Sequence, residues 1–285
     1  MEQHNSVYST DHSASVLRTH RWRTVANSAS YLLSHLRPDM TILDVGCGPG
    51  SITIDLARGV PRGHVTGVEY IADPLDGARA DAVALGITNV SFSVADAHHL
   101  SFPDASFDLV HAHQVLQHLA DPVQALREMR RVVKPGGLVA CRESASMTWH
   151  PESEGIDAWL QLTTRVARAK GGNPHPGSRI HVWAEQAGFA KQTIDKSAGS
   201  WCFSSPEERA YWGGSMAERA ASSGFAQQAV DGGFTTREEL ERVARGWDAF
   251  VRDEDAWFGL LHGQILCRKE VADPIMTVQK KDNQP

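Results

Sequence analysis

Residues 41–51 read TILDVGCGPGS: a short apolar run, an aspartate at 44, and glycines at 46, 48 and 50. A residue without a Cβ lets the backbone turn sharply and lie against a ligand that a side chain would push away. A strand that ends in such a loop and opens a helix is the unit of α/β sheets, and it holds an adenosine-containing ligand at its tip. The spacing narrows the choice of ligand. A dinucleotide fingerprint starting at Gly46 needs its third glycine at 51, where this chain has Ser51. A tight strand-helix turn with no ligand remains the competing reading of these residues alone.

Downstream, HVTGVEY puts Glu69 at the end of a second apolar strand, about 20 residues past the loop, where a carboxylate accepts hydrogen bonds from ribose hydroxyls. A third strand, NVSFSV, runs into Ala95, Asp96 and Ala97, and a fourth, FDLVHAHQVLQHL, carries His111 and His113 on one face. Asp121 caps a helix from Pro122 whose stripe of Val123, Leu126, Met129 or Arg130 and Val133 is explained by core placement. Lys134-Pro135 is expected to stop that helix, and Gly136-Gly137 to turn the chain into a further apolar strand.

In this order, over about residues 40–144, the segments resemble the class I S-adenosylmethionine-dependent methyltransferases. D-x-G-x-G-x-G resembles their first motif, and K-P-G-G before an apolar strand is a habit of the family. The branch is similar to the ubiquinone and menaquinone methyltransferases. The resemblance implies an α/β, Rossmann-like fold: a mostly parallel seven-stranded sheet with an antiparallel last strand, here with a helical cap. It implies S-adenosylmethionine as cofactor, bound by Asp44, Gly46, Cys47, Gly48, Gly50, Glu69, Tyr70, Asp96, Ala97, His113, Gln114 and His118. Asp44 would anchor the ammonium end of the cofactor and Asp96 would read the adenine amino group. The whole chain, with its N-terminal T-D-H-S, is also similar to microbial secondary-metabolism methyltransferases of the teleocidin-type indole alkaloids. That likeness implies C-methylation of a prenyl chain, followed by cyclisation of the resulting carbocation.

With 285 residues, 41% apolar and 22% charged, the chain supports one sizeable core with an appended cap. Residues 1–38 read as an N-terminal helical arm or lid, polar to Val16 and helical to His35, and 39–144 as the cofactor-binding core. Residues 145–268 complete the sheet, with an inserted helical cap at about 204–255 between the last two strands, and 269–285 form a tail. That insertion argues against a quinone-precursor substrate. A net charge of −6 without a basic stripe argues against nucleic acid. No apolar run is long enough to span a bilayer and residues 1–15 lack a signal-peptide core, so a cytoplasmic protein without a membrane partner is expected. Cysteines 47, 141, 202 and 267 have no C-x-x-C pairing and are expected reduced. Exchange of the N-terminal helix between copies would give a homo-oligomer.

Seven of the eight tryptophans, at 149, 159, 183, 201, 212, 247 and 257, lie beyond residue 148. A wall of indoles suits a large apolar or aromatic substrate, and its ring faces stabilise a cation formed during reaction. His113, at the carboxyl edge of the sheet, and Tyr8, in an arm expected to fold over the site as a lid, are the catalytic candidates. Fourteen histidines show no recognised ligand spacing, so no metal is expected. A nicotinamide-dependent reductase would need the third glycine and a Tyr-x-x-x-Lys pair that this chain lacks. A non-catalytic binding protein is countered by the intact Asp44, glycine loop, Glu69 and Asp96.

Overall fold

A computed structural model describes residues 14–271, so Tyr8 and the T-D-H-S segment lie outside the described residues. Seven strands form one sheet: β1 (Thr41–Val45), β2 (His64–Glu69), β3 (Val90–Val94), β4 (Phe107–His113), β5 (Val133–His150), β6 (Ile194–Phe203) and β7 (Trp257–Arg268). Their order is β3-β2-β1-β4-β5-β7-β6. The first five pair in parallel, while β7 runs antiparallel to both β5 and β6. Chain direction across the sheet reverses beside β1, which is flanked by β2 and β4, and a crevice opens there at the strands' carboxyl ends.

Ten helices surround the sheet among the described residues: α1 (Ala14–Arg21), α2 (Val25–Ser28), α3 (Ser51–Gly59), α4 (Asp73–Ala84), α5 (Pro122–Val132), α6 (Glu154–Ala169), α7 (Ile180–Gln186), α8 (Pro206–Ser222), α9 (Gly224–Asp231) and α10 (Arg237–Arg252). The central strands are buried on both faces, as parallel strands covered by helices are. Ile42 faces a core built with α2 and α3, and Leu43 one built with α5 and α7. Asp121 caps α5 by accepting from the Gln124 N–H at 2.9 Å. The helix ends earlier than the sequence suggests. Val133 already pairs with Phe107, so Lys134, Pro135 and Gly136 lie within β5 instead of forming a turn before it.

Strand β5 does not stop at Ser144. It runs on to His150, pairing with β7 as far as Trp257, with a register shift between Ser144 and Ser146. Along this extension Ser146, Thr148 and His150 are exposed while Met147 and Trp149 are half-buried, the alternation of a sheet covered on one face. The boundary expected at residue 144 therefore falls inside a strand that the cofactor core and the cap share. Helix α6 is a second difference. Its Ile156, Trp159, Leu162 and Val166 recur at helical spacing and join Met216, Trp247, Phe250 and Phe258 in a second core. The insertion itself is helical as expected, with α8 and α10 each opened by a capping box, Ser205 with Glu208 and Thr236 with Glu239.

The N-terminal arm is not one helix to His35. Asn27 donates to the Trp22 carbonyl at 2.9 Å and Thr24 caps α2, so the chain breaks between α1 and α2 and ends in a 3-10 turn, Ser30–His35. Helix α1 crosses from the core to the cap: Ser51 Oγ donates to the His20 carbonyl at 3.2 Å, Tyr211 donates to the Arg18 carbonyl at 2.8 Å, and Arg18 pairs with Glu218.

The short turn Pro176–Ser178 is pressed against β5 and β7 with no side chain between them. A Cβ on Gly263 would meet the Gly177 oxygen at 1.9 Å, and one on Gly177 the Glu143 oxygen at 2.4 Å. Gly263→Ala is expected to lower the unfolding free energy by about 3 kcal/mol in a urea titration. Gly214→Ala, on the open side of α8, is expected to be neutral or stabilising.

Candidate active site

The glycine loop after β1 is tied down by its own amides: Gly46 and Cys47 both donate to the Val68 carbonyl at the end of β2, at 2.8 and 3.0 Å. The three glycines, all at positive φ, do different work. A Cβ on Gly50 would strike Ala78 and Phe92 at 2.8 and 2.9 Å, so that glycine serves helix packing. A Cβ on Gly48 would meet no protein atom within 4 Å, because Gly48 faces open cavity. Its N–H donates to Glu69 Oε2 at 3.0 Å, and Glu69 Oε1 accepts from the Tyr70 N–H at 2.7 Å. The carboxylate expected to accept from ribose hydroxyls is thus fastened to the glycine loop.

Asp44 is almost fully buried. Fully buried His111 donates from Nδ1 to Asp44 Oδ1 at 2.7 Å, and Thr53 Oγ1 donates to Oδ2 at 2.6 Å. Before it meets any ligand, then, this carboxylate is oriented by two protein donors. At the end of β3, Asp96 Oδ1 accepts from the backbone N–H of His98 at 2.9 Å and contacts its Nδ1 at 2.8 Å. Among the described residues no group of three or more histidines, cysteines and acids is arranged to hold a metal ion.

His113 ends β4 on the cavity wall, with its ring centroid 6.5 Å from His111, 5.7 Å from Trp201 and 6.2 Å from His262. Neither of its buried ring nitrogens has a hydrogen-bond partner among the described residues. Burial, with Arg23 and Arg142 nearby, holds it well below the ordinary 6.5, so it is neutral near pH 7. His118 is pushed down to about 4 by burial and by Arg23. Gln114, in a left-handed conformation, is held by two hydrogen bonds and one ring contact. Its N–H donates to the Arg142 carbonyl at 2.8 Å, its Oε1 accepts from Arg23 at 2.8 Å, and its Nε2 meets His262 Nε2 at 2.9 Å. Glu143 fixes the turn beyond, accepting from the N–H groups of Val115 and Leu116 at 2.8 and 2.7 Å.

One cavity runs from this loop into the cap. Asp44, Gly46, Cys47, Gly48, Glu69 and Tyr70 line it, as do Asp96, Ala97, His113, Gln114 and His118; Gly50 does not. Of the tryptophans, 149, 159, 201, 212 and 247 line the same cavity. Trp183 packs in the core against α5, and Trp257 is 40% exposed on the outer face of β7. Sequence reading missed Thr19, His20 and Arg23, which close the cavity from the N-terminal arm, and Gln117, Ser144 and His175. No local spacing marks Arg23, whose partner Gln114 lies 91 residues away.

Residues 36–188 match a family model described as a methyltransferase domain. The chain is 36% identical over 263 residues to an uncharacterized methyltransferase of Schizosaccharomyces pombe, covering 90% of this chain and 94% of that protein. It is 29% identical over 279 residues to the probable methyltransferase ltbC of Aspergillus luteorubrus, covering 92% and 97%. Among solved structures, phosphoethanolamine N-methyltransferase 2 of Haemonchus contortus, in complex with phosphomonomethylethanolamine and S-adenosylhomocysteine, shares the fold at a TM-score of 0.56. Identity is 16%, over 90% of this chain and 58% of that one.

Two outcomes are expected. Gly48→Ala puts a methyl group where only ligand would lie. It should fold, at about 1 kcal/mol of left-handed strain, yet bind S-adenosylhomocysteine about ten-fold more weakly by calorimetry. The second concerns pH. His113, His118 and His262 lie below 6.5 in the folded chain, the last two at about 4 and about 2, so below pH 6.5 the unfolded chain takes up protons that the folded one refuses. Stability rises with pH where the unfolded state binds more protons. This contribution is complete above pH 6.5 and is lost on acidification. Glu143, raised by burial from 4.5 to about 8, acts oppositely, its contribution fading as pH rises through 8. Thermal scans should therefore peak near pH 6.5, fall more steeply on the acid side, and lose the alkaline decline in Glu143→Gln.

Proposed function

Since the chain belongs to the S-adenosylmethionine-dependent methyltransferases, we propose that its acceptor is a large apolar small molecule of secondary metabolism, methylated on carbon. The best match is the prenyl or terpenoid chain of an indole alkaloid, where methylation of an alkene can trigger cyclisation. The observation that carries this reading is the continuous cavity, which joins Gly48 to five tryptophans. The acids that line it, Asp44, Glu69 and Asp96, all stand at the carboxyl ends of β1, β2 and β3, so among the described lining residues the cap contributes none.

Bound S-adenosylmethionine supplies an electrophilic methyl group on sulfur, and the protein's task is alignment and exclusion of water. The residues present fit that cofactor. Gly48 leaves room for it, Glu69 and Asp96 offer acceptors to its ribose and adenine, and Arg23 offers a cation to its carboxylate. Neutral His113 places no like charge beside the sulfonium. An imidazole so reluctant to take up a proton is a weak general base, which disfavours an alcohol or phenol that must first be deprotonated. An alkene or electron-rich ring needs only alignment and a proton acceptor afterwards. The positive charges of Arg23 and Arg142 disfavour a carbocation beside His113, whereas the indole faces of the cap can stabilise one. An aromatic or quinone precursor methylated on oxygen or carbon is the alternative, fitting the same walls but, for oxygen, asking more of His113.

The test is transfer from methyl-13C-labelled cofactor to a panel of prenylated indoles, phenols and small amines, with the product's methyl shift reporting the atom attacked. Carbon-bound label, with His113→Asn costing about ten-fold or less in kcat, is expected. Oxygen-bound label with a loss of about 100-fold or more would mark His113 as a general base and support the alternative. Transfer to small amines alone would sink both.

A further inference from the structure

Arg142, in the middle of β5, is 2% exposed and forms no ion pair among the described residues. Its Nη1 donates to the Asn27 carbonyl at 3.1 Å and its Nη2 to His262 Nδ1 at 3.0 Å, while the guanidinium lies 5.3 Å from the Trp201 ring centroid. Among the described residues its Nε–H finds no acceptor, and the buried hydroxyl of Tyr31 no partner. A buried charge without a counter-ion costs several kcal/mol, so proteins pair such charges or use them.

Both residues line a second crevice, behind the active site, between the N-terminal arm and β6. Trp22, Tyr31 and Trp201 give it aromatic sides, and Ser197, Ser200 and Gln264 give it polar ones. No carboxylate is among its described lining residues. Gly199, whose Cβ would stand 2.5 Å from Gln264 and 3.6 Å from Arg142, keeps the strand thin over the guanidinium.

We propose that this rear crevice binds a small aromatic carboxylate, with the guanidinium of Arg142 and the hydroxyl of Tyr31 as its anchors. A planar guanidinium matches a carboxylate through parallel hydrogen bonds, and the flanking rings suit a flat apolar body. The site is connected to the active site. Arg142, His262, Gln114 and Arg23 form an unbroken series of contacts at 3.0, 2.9 and 2.8 Å, and its last two members line the main cavity. Drawing Arg142 toward an anion behind the sheet loosens its hold on His262, whose ring stands against Gln114.

Benzoate is the probe, titrated calorimetrically into the full chain saturated with S-adenosylhomocysteine at constant ionic strength. The saturating ligand fills the main cavity's own anion-binding end, so failure here leaves the methyltransferase reading untouched. Saturable one-to-one binding is expected, weakened about five-fold in Tyr31→Phe and abolished in Arg142→Gln. Should Arg142→Gln fail to fold, Tyr31→Phe and Arg142→Lys, which keeps the charge and loses the planar fork, carry the test, both expected to bind more weakly. Acetate should bind more weakly than benzoate, and inorganic phosphate more weakly still. Absence of saturable benzoate binding, affinity unchanged in the variants, or phosphate bound in preference to benzoate would overturn the assignment.

Discussion

The hydrogen bonds that hold Asp44 are the constraint on which the site depends. A carboxylate at the buried tip of β1 would be costly if unpaired, and the fold meets that cost with a histidine from the neighbouring strand and a threonine from the following helix. Those two donors join β1, β4 and α3 at one point. The glycine loop leaves from that point, and its amides are caught by the carbonyl of Val68 on the other side, so its path is set by both neighbours of β1. Everything the loop presents inherits this anchorage, including the open face of Gly48 and the contact to Glu69.

Electrostatics divide the cavity in two. The acids stand at the ends of the first three strands, whereas Arg23 and His113 line it beside Trp201, with Arg142 and His262 packed on Trp201 just outside the lining. In that field each additional proton is unwelcome, and the histidines stay neutral by virtue of burial as well as of the arginines. An imidazole in such a place works as a shape and a hydrogen-bonding surface more than as a base.

What could be read from the chain alone follows from how local each signal is. Asp44, the glycines, Glu69, Asp96 and His113 sit at ends of successive strands, where spacing along the sequence maps directly onto position in the crevice. Spacing did not separate Gly48 from Gly50, because only the neighbours Ala78 and Phe92 distinguish a glycine that makes room for a ligand from one that makes room for a helix. Helix α6 carries a helical stripe of Ile156, Trp159, Leu162 and Val166, but helical spacing does not say which core such a stripe will join. Arg23, Thr19 and His20 were beyond reach, since α1 arrives from a distant part of the chain through contacts to α8 and to Ser51. The end of β5 is hard to read from the chain because its last residues alternate exposed with half-buried, unlike the continuously buried run from Leu138 to Ser144 before them.

That long strand has a mechanical meaning. From Leu138 opposite Arg268 to His150 opposite Trp257, β5 and β7 form one ladder that begins in the cofactor core and ends under the tryptophans. A backbone shared in this way acts as a beam, so the cap cannot swing open on a hinge between two bodies. The seam where α1 lies on α8 is closed differently, by the Arg18–Glu218 pair and the Tyr211 hydroxyl on the Arg18 carbonyl, contacts that can part without breaking the sheet.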